Sequence, residues 1–144
     1  MKGNRLYKSE KLCSRTAVSM LFSAGRSVSA FPLRAVIRME KSAGDRRQAR
    51  FMITVPKKKI RKAVGRVLLR RRVREAYRLN RNLLLPALDK SGMWVDIAFL
   101  YMDSNIASYN VIETKMRTLL GKIADIAEAS RIGQEAERNS NEGD

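Results

Sequence analysis

Residues 56–88 read PKKKIRKAVGRVLLRRRVREAYRLNRNLLLPAL, from Pro56 to Leu88, and the architecture of the chain turns on this stretch. Its length and composition suit one long helix, bounded in front by Pro56 and behind by Pro86, because a proline removes a backbone donor and clashes with the preceding turn. Gly65 weakens the first turn of that helix. With Arg66 set to zero and successive residues about 100° apart, Arg70, Arg71, Arg74, Arg78 and Arg81 fall within an arc of roughly 140°. Leu68, Leu69, Val73, Ala76, Leu79 and Leu83 occupy the arc from roughly 200° to 340°, which makes them the expected core face.

The charged arc is unusual in what it lacks. Between Lys57 and Arg81 there are twelve lysines and arginines and a single acid, Glu75. A solvated helix face interleaves acids with bases for i,i+4 support, whereas here like charges stack at that spacing, a repulsion of about 0.2 to 0.5 kcal/mol per pair. Something anionic must offset it. The arginine bias narrows the choice, since a guanidinium fork matches phosphate oxygens two at a time and stacks on bases. An RNA or DNA backbone fits best. Tyr77, at roughly 20° on the same wheel, has two readings: it stacks on nucleic acid, or it packs against a sheet.

The whole chain agrees with its centre. Its 144 residues carry 30 Lys+Arg against 14 Asp+Glu, a formal net charge of +16 and a pI near 10.8, a balance suited to polyanions and unsuited to an enzyme for neutral small molecules. At 44% hydrophobic, the chain has enough apolar residues for one modest core. It has no histidine, which removes the commonest zinc ligand and the side chain that titrates nearest neutrality. The single Cys13, expected to be a semi-buried thiol, excludes an intrachain disulfide. There is no apolar run long enough to span a bilayer, and MKGNRLYKSEKLCSR has no signal-peptide core. The expected compartment is the cytoplasm, and no protein partner is indicated.

Ahead of the basic stretch, Ala17, Val18, Leu21 and Phe22 recur at helical spacing between Ser14, a natural N-cap, and Gly25, a natural stop. After a Ser-rich turn, Phe31 to Met39 and Arg50 to Val55 read as strands separated by the polar segment Glu40 to Arg47, and are expected to pair as an antiparallel hairpin. Trp94 to Met102 is a strongly apolar run that reads as a buried strand. Asp103 to Ser108 is a loop, and Ile112, Met116, Leu119, Leu120, Ile123 and Ile126 mark a helix from Tyr109 to about Ser130. The expected organisation is a flexible basic N-terminus over 1–11, a single RNA-binding domain over 12–130 and a disordered polar tail over 131–144. The fold class is α+β, a two-layer sandwich with one helical face and one open sheet face. Such a face beside basic helices suits single-stranded nucleic acid.

The central stretch resembles the protein component of bacterial ribonuclease P. In that family a strand leads into paired lysines, then Ala-Val, then Arg-Asn-Arg-x-Lys-Arg-x-x-Arg-Glu on a long helix. Here FMITV is followed by Pro56, Lys57 and Lys58, then Ala63 and Val64, with Arg66, Arg70, Arg71, Arg74 and Glu75 in the matching places. Leu12, Phe22 and Gly25 match the family's first helix, and WVDIAFLY matches the strand after the motif helix, so the likeness spans roughly Leu12 to Ile126. Val67 and Leu68 depart from it, standing where the family usually has Asn and Arg.

The resemblance implies an α-β-β-β-α-β-α order, a small, mostly antiparallel sheet, a left-handed crossover and a central cleft between the first helix and the sheet. It further implies a subunit that binds the catalytic RNA and the 5′ leader of precursor tRNA. The RNA, with Mg²⁺ bound mainly by RNA and substrate, would then carry out phosphodiester hydrolysis. On that basis Lys57, Lys58, Lys62, Arg66, Arg70, Arg71, Arg74 and Arg78 are expected to contact RNA. Val18, Phe22, Phe31, Arg34, Met52 and Thr54 are expected in the leader cleft. Neither a catalytic residue nor a metal ligand is expected in this chain: Asp96 suits a buried partner for an arginine, and Asp103 ends its strand. The competing reading is a general RNA-binding or ribosome-associated protein of the same fold.

Overall fold

A computed structural model describes residues 10–12, 14–41 and 49–142. The expected flexibility of residues 1–9, the environment of Cys13, most of the polar segment after Glu40 and the last two residues lie outside the described residues. α1 (Arg15–Ala24) starts where expected, with the Ser14 hydroxyl accepting from the Ala17 N–H at 3.3 Å. It ends at Gly25, whose N–H donates to the Leu21 carbonyl at 2.8 Å. A Cβ on Gly25 would lie 2.3 Å from that carbonyl oxygen and 2.9 Å from the oxygen of Ile37, so only glycine lets the helix turn this tightly into the sheet.

Four strands follow: β1 (Arg26–Ala30), β2 (Leu33–Lys41), β3 (Ala49–Thr54) and β4 (Met93–Tyr101), in the spatial order β1-β2-β4-β3. Two expectations are corrected here. The Ser-rich segment is a strand, paired antiparallel with β2 across a cis Phe31–Pro32 peptide. It escapes a periodicity reading because an edge strand with one buried face needs little more than Val28 and Ala30. And β2 does not pair with β3 as a hairpin: β4 lies between them, antiparallel to β2 and parallel to β3. The cause is visible in β4, where every residue from Met93 to Phe99 is buried. A strand apolar on both faces goes to the centre, and the half-polar strands are left outside it.

The parallel pair needs a crossover, which is where the long helical stretch goes, but in two pieces. Residues 56–62 form a turn, with the Lys59 and Ile60 N–H groups donating to the Pro56 carbonyl at 3.1 Å. α2 (Ala63–Asn80) ends in a short 3₁₀ turn at Arg81–Leu83, and α3 (Leu85–Ser91) begins there with Pro86 in its first turn. Proline is pre-organised for that place and forfeits no helical hydrogen bond there, so Pro86 starts a helix where it was expected to end one. α4 (Tyr109–Glu142) continues past the expected end near Ser130. The segment beyond Gly133, expected to lack order, is helical as far as Glu142 and is rich in Glu, Gln, Ala and Arg, all good helix formers.

One sheet face packs on α2 and α4. Phe51, Tyr77 and Phe99 stack at its centre with ring centroids 4.5 to 6.4 Å apart, among Leu33, Ile37, Leu69, Val73, Val95, Ile97, Met116 and Leu120. The opposite face, expected to be open, carries α1 across part of its width through Leu12, Leu21, Val36 and Ala98. Residues 10 and 11, assigned by sequence to a flexible arm, belong to this packed unit. Glu10 is buried and accepts from Arg81 Nη1 at 2.7 and 2.9 Å, while the Leu12 N–H donates to the Phe51 carbonyl at 2.8 Å. A buried guanidinium demands a carboxylate, and the N-terminal segment supplies it.

Candidate nucleic-acid interface

The inward face of α2 is turned by about 50° toward the basic arc relative to the face read from the wheel. Gly65, Leu69, Val73, Ala76, Tyr77 and Asn80 are buried, while Leu68, Leu79 and Leu83 are exposed by 38%, 42% and 50%. The stack of Tyr77 on Phe51 fixes that rotation. So does Asn80, whose amide donates to the Ala76 carbonyl and accepts from Arg117 of α4 at 3.0 Å. The Tyr77 question is thereby answered in favour of packing, and burial pushes its phenol pKa well up.

The rotation sorts the expected RNA contacts into two groups. Arg70, Arg71 and Arg74 are exposed, and among the described residues they form no hydrogen bond or salt bridge. Lys57, Lys58 and Lys62 are exposed at the head of the helix. The other members are engaged inside the fold. Arg66 donates through Nη1 to the carbonyls of Ile60 and Arg61 at 3.0 and 2.7 Å, holding the turn that precedes the helix. Arg78 pairs with Glu75, its Nε 3.0 Å from Oε2, and that bond holds the Glu75 carboxyl below its ordinary range. Arg81 leaves the arc altogether, because the α-helix has ended and its side chain is spent on Glu10.

Arg70, Arg71 and Arg74 line a groove of about 500 Å³ with Val67, Phe51, Met52 and Leu12, and with Lys11. The groove sits at the outer edge of β3, beside the Lys11–Phe51 bridge. Lys11 is the cation that sequence reasoning missed, since nothing local in KSEKL announces that this segment pairs with a strand forty residues away. Val67, 39% exposed, stands among the arginines, so the departure from the family pattern gives the groove an apolar wall.

The expected cleft residues share the α1 side of the sheet. Arg34, Met52 and Thr54 alternate onto that face, with Met52 packed on the α1 cluster beside Val18. Phe22 is 49% exposed on α1. Phe31, 64% exposed, stands at the β1–β2 turn at one end of the sheet, close to Arg34. Arg34 Nε donates to the Ser27 hydroxyl at 2.6 Å. Met52 also lines the groove under α2, so it joins the two surfaces. Asp96, fully buried, accepts two 3.0 Å hydrogen bonds from Arg50 on the neighbouring strand, as its place in an apolar strand suggested. Asp103 serves the next turn, accepting from the Asn105 N–H at 3.2 Å. Among the described residues no three Asp, Glu or Cys side chains gather as a metal site, and no helix is long and apolar enough to cross a membrane.

An α+β sandwich whose long helix exposes Arg70, Arg71 and Arg74, without a hydrogen bond or salt bridge to the described residues, presents a surface suited to a polyanion. Comparison with known proteins narrows this. A family model described as Ribonuclease P matches residues 6–124. The Ribonuclease P protein component of Porphyromonas gingivalis is 33% identical over 133 residues, covering 90% of this chain and 94% of that protein. One from Chlorobaculum tepidum is 36% identical over 104 residues, 68% of each. The solved RNase P protein of Staphylococcus aureus shares the fold with a TM-score of 0.62 at 19% identity, covering 81% of this chain and 96% of that one. That of Thermotoga maritima gives 0.62 at 24% identity, covering 79% and 97%.

This chain belongs to the ribonuclease P protein component family. It is the protein part of an enzyme holoenzyme, with an RNA partner and a role in the 5′ maturation of tRNA. The competing reading as a general RNA-binding protein is not favoured.

Proposed function

We propose that the outward face of α2 lies against the RNA subunit and that the cleft between α1 and the sheet holds the single-stranded 5′ leader of precursor tRNA. The observation that carries this reading is the group Arg70, Arg71 and Arg74: three guanidinium forks on one exposed face, with no internal hydrogen bond or salt bridge among the described residues. Arginines held in this way repel one another until phosphates are supplied. Lys57, Lys58 and Lys62 extend the surface, while Arg66 and Arg78 brace it through the pre-helix turn and Glu75. Across the sheet, the half-exposed ring of Phe22 offers a stacking face that does not discriminate between bases, and Thr54 offers a hydroxyl.

In this reading the chain binds and orients, and hydrolysis belongs to the RNA. Four of the described carboxylates, Glu10, Glu40, Glu75 and Asp96, are each committed to an arginine, and among the described residues no three Asp, Glu or Cys side chains gather as a metal site. That donor set does not fit Mg²⁺, which is assigned to the RNA and the substrate, and the working compartment is the cytoplasm.

The test is a comparison of precursor and mature tRNA binding by the reconstituted holoenzyme. The wild-type holoenzyme should prefer the precursor, and Phe22→Ala with Thr54→Ala should erase that preference while leaving RNA-subunit binding intact. An unaltered preference in the variant removes the cleft assignment.

A further inference from the structure

The head of α2 carries a second depression, of about 620 Å³. Its floor is aliphatic: Val64, Leu68 and Ile106 are exposed by 81%, 38% and 47% around the buried Ile60. Three branched side chains left open to water at one place need an explanation, and looseness does not provide it, because each is held there. Gly65 lets the helix close on the loops, since a Cβ at that position would lie 2.9 Å from Ile60 and 3.2 Å from Ile106. Arg66 ties the carbonyls of Ile60 and Arg61 to the helix. On the other side, Ile106 is gripped through both neighbours. The Tyr101 hydroxyl donates to the Asn105 carbonyl and accepts from the Ala107 N–H at 2.9 Å, and Arg72 donates to the Ala107 carbonyl at 2.6 Å. The rim is cationic, with Lys58, Lys59, Arg61 and Lys62.

We infer that this depression is a nucleotide seat, in which an unpaired base of the RNA subunit rests on Val64, Leu68 and Ile106 while the phosphates on either side of it meet the lysines of the rim. The inference rests on the RNA-subunit reading above and deepens it, assigning a contact that is apolar at the base and electrostatic at the backbone. Charge complementarity chooses this occupant: the rim continues the arginine arc of α2, and a face that meets phosphates along its length meets them at its head as well. Leu68 is one of the two departures from the family pattern, so that part of the floor is this chain's own, while Val64 and Lys58 stand in the family's matching places.

The two kinds of contact separate by salt dependence. In titrations of the full-length protein with the ribonuclease P RNA over a series of KCl concentrations, Val64→Ser with Leu68→Ser should lower affinity about fivefold at every concentration, without changing the slope. Lys58→Ala with Lys62→Ala should flatten the slope of log K against log salt by about 0.9 for each phosphate that is no longer neutralised. Chemical probing of the bases should show one unpaired nucleotide protected by the wild type and exposed with the serine variant. Both serine positions are solvent-facing, and the thermal midpoint verifies the fold. Wild-type affinity and an unchanged protection pattern in the serine variant overturn the seat, and would leave an acidic peptide as the alternative occupant. If Arg70→Glu with Arg74→Glu also binds as wild type, the RNA-subunit reading falls with it; if that variant alone loses binding, only the seat does.

Discussion

On the sheet face beneath α1, Arg34 donates to Ser27, Arg38 pairs with Glu40 at 2.6 Å while lying over the Trp94 ring, and Arg50 grips Asp96 with two nitrogens. On α2, Arg70, Arg71 and Arg74 stand in solvent with no such bonds among the described residues. The same side chain therefore does two jobs in one small protein. Arginines of the first kind have their partners inside the chain, and removing one whose partner is buried, as Asp96 is beside Arg50, harms the fold. Those of the second kind repel each other in the free protein, and removing one harms only what binds there.

Substitutions separate the two kinds. The largest effect is expected at Arg50→Ala, which leaves the fully buried Asp96 without its two-pronged partner and should cost about 3 kcal/mol of stability, read by urea unfolding. Next, Arg70→Glu with Arg74→Glu should weaken binding of the RNA subunit by on the order of a hundredfold at moderate salt, with the unfolding midpoint unchanged or raised. A loss of stability there would place these arginines with the structural kind. Third, Val67→Asn with Leu68→Arg should steepen the salt dependence of RNA binding by about 0.9 in log-log slope, the value of one added phosphate contact.

The smallest effect concerns the inward side of the same helix. Burial raises the Tyr77 pKa, so the folded state keeps this proton above pH 10, where the unfolded chain releases it. The stabilisation is fully present below the ordinary phenol value and is lost as pH rises above it, by at most about 1.4 kcal/mol per pH unit. Tyr77→Phe should flatten that alkaline loss. At neutral pH it should cost little, because the hydroxyl is buried with no hydrogen-bond partner among the described residues.

The same contrast explains what could be read from the sequence. α1, β4 and the amphipathic part of α4 were legible because their apolar residues repeat at a period that a local reading detects, and the basic arc was legible because like charges at i,i+4 have no structural reason to be there. β1 was not, since RSVSA buries only one side. Nor was the insertion of β4 between β2 and β3, a competition among strands for the sheet's centre that no local pattern expresses. Wheel geometry puts Arg70, Arg71 and Arg74 on one face, and the structure has all three exposed beside one groove. It missed the rotation that buries Tyr77 and exposes Leu68, because that rotation is set by Phe51 and Phe99 on distant strands. The engagement of Arg81 with Glu10 joins residues 71 apart in sequence, and the placing of Lys11 rests on its bridge to the distant Phe51.

If this chain serves a tRNA-maturing holoenzyme through the exposed arginines of α2, those arginines must matter to turnover itself. The decisive measurement is multiple-turnover cleavage of a leader-bearing precursor tRNA by ribonuclease P RNA at low Mg²⁺, with no protein, with the wild type, and with Arg70→Glu and Arg74→Glu combined. The expected result is cleavage at the mature 5′ end that depends on the wild-type protein and is lost with the variant. Cleavage with the cognate RNA that is indifferent to the protein, or that the variant supports as well as the wild type, would contradict it.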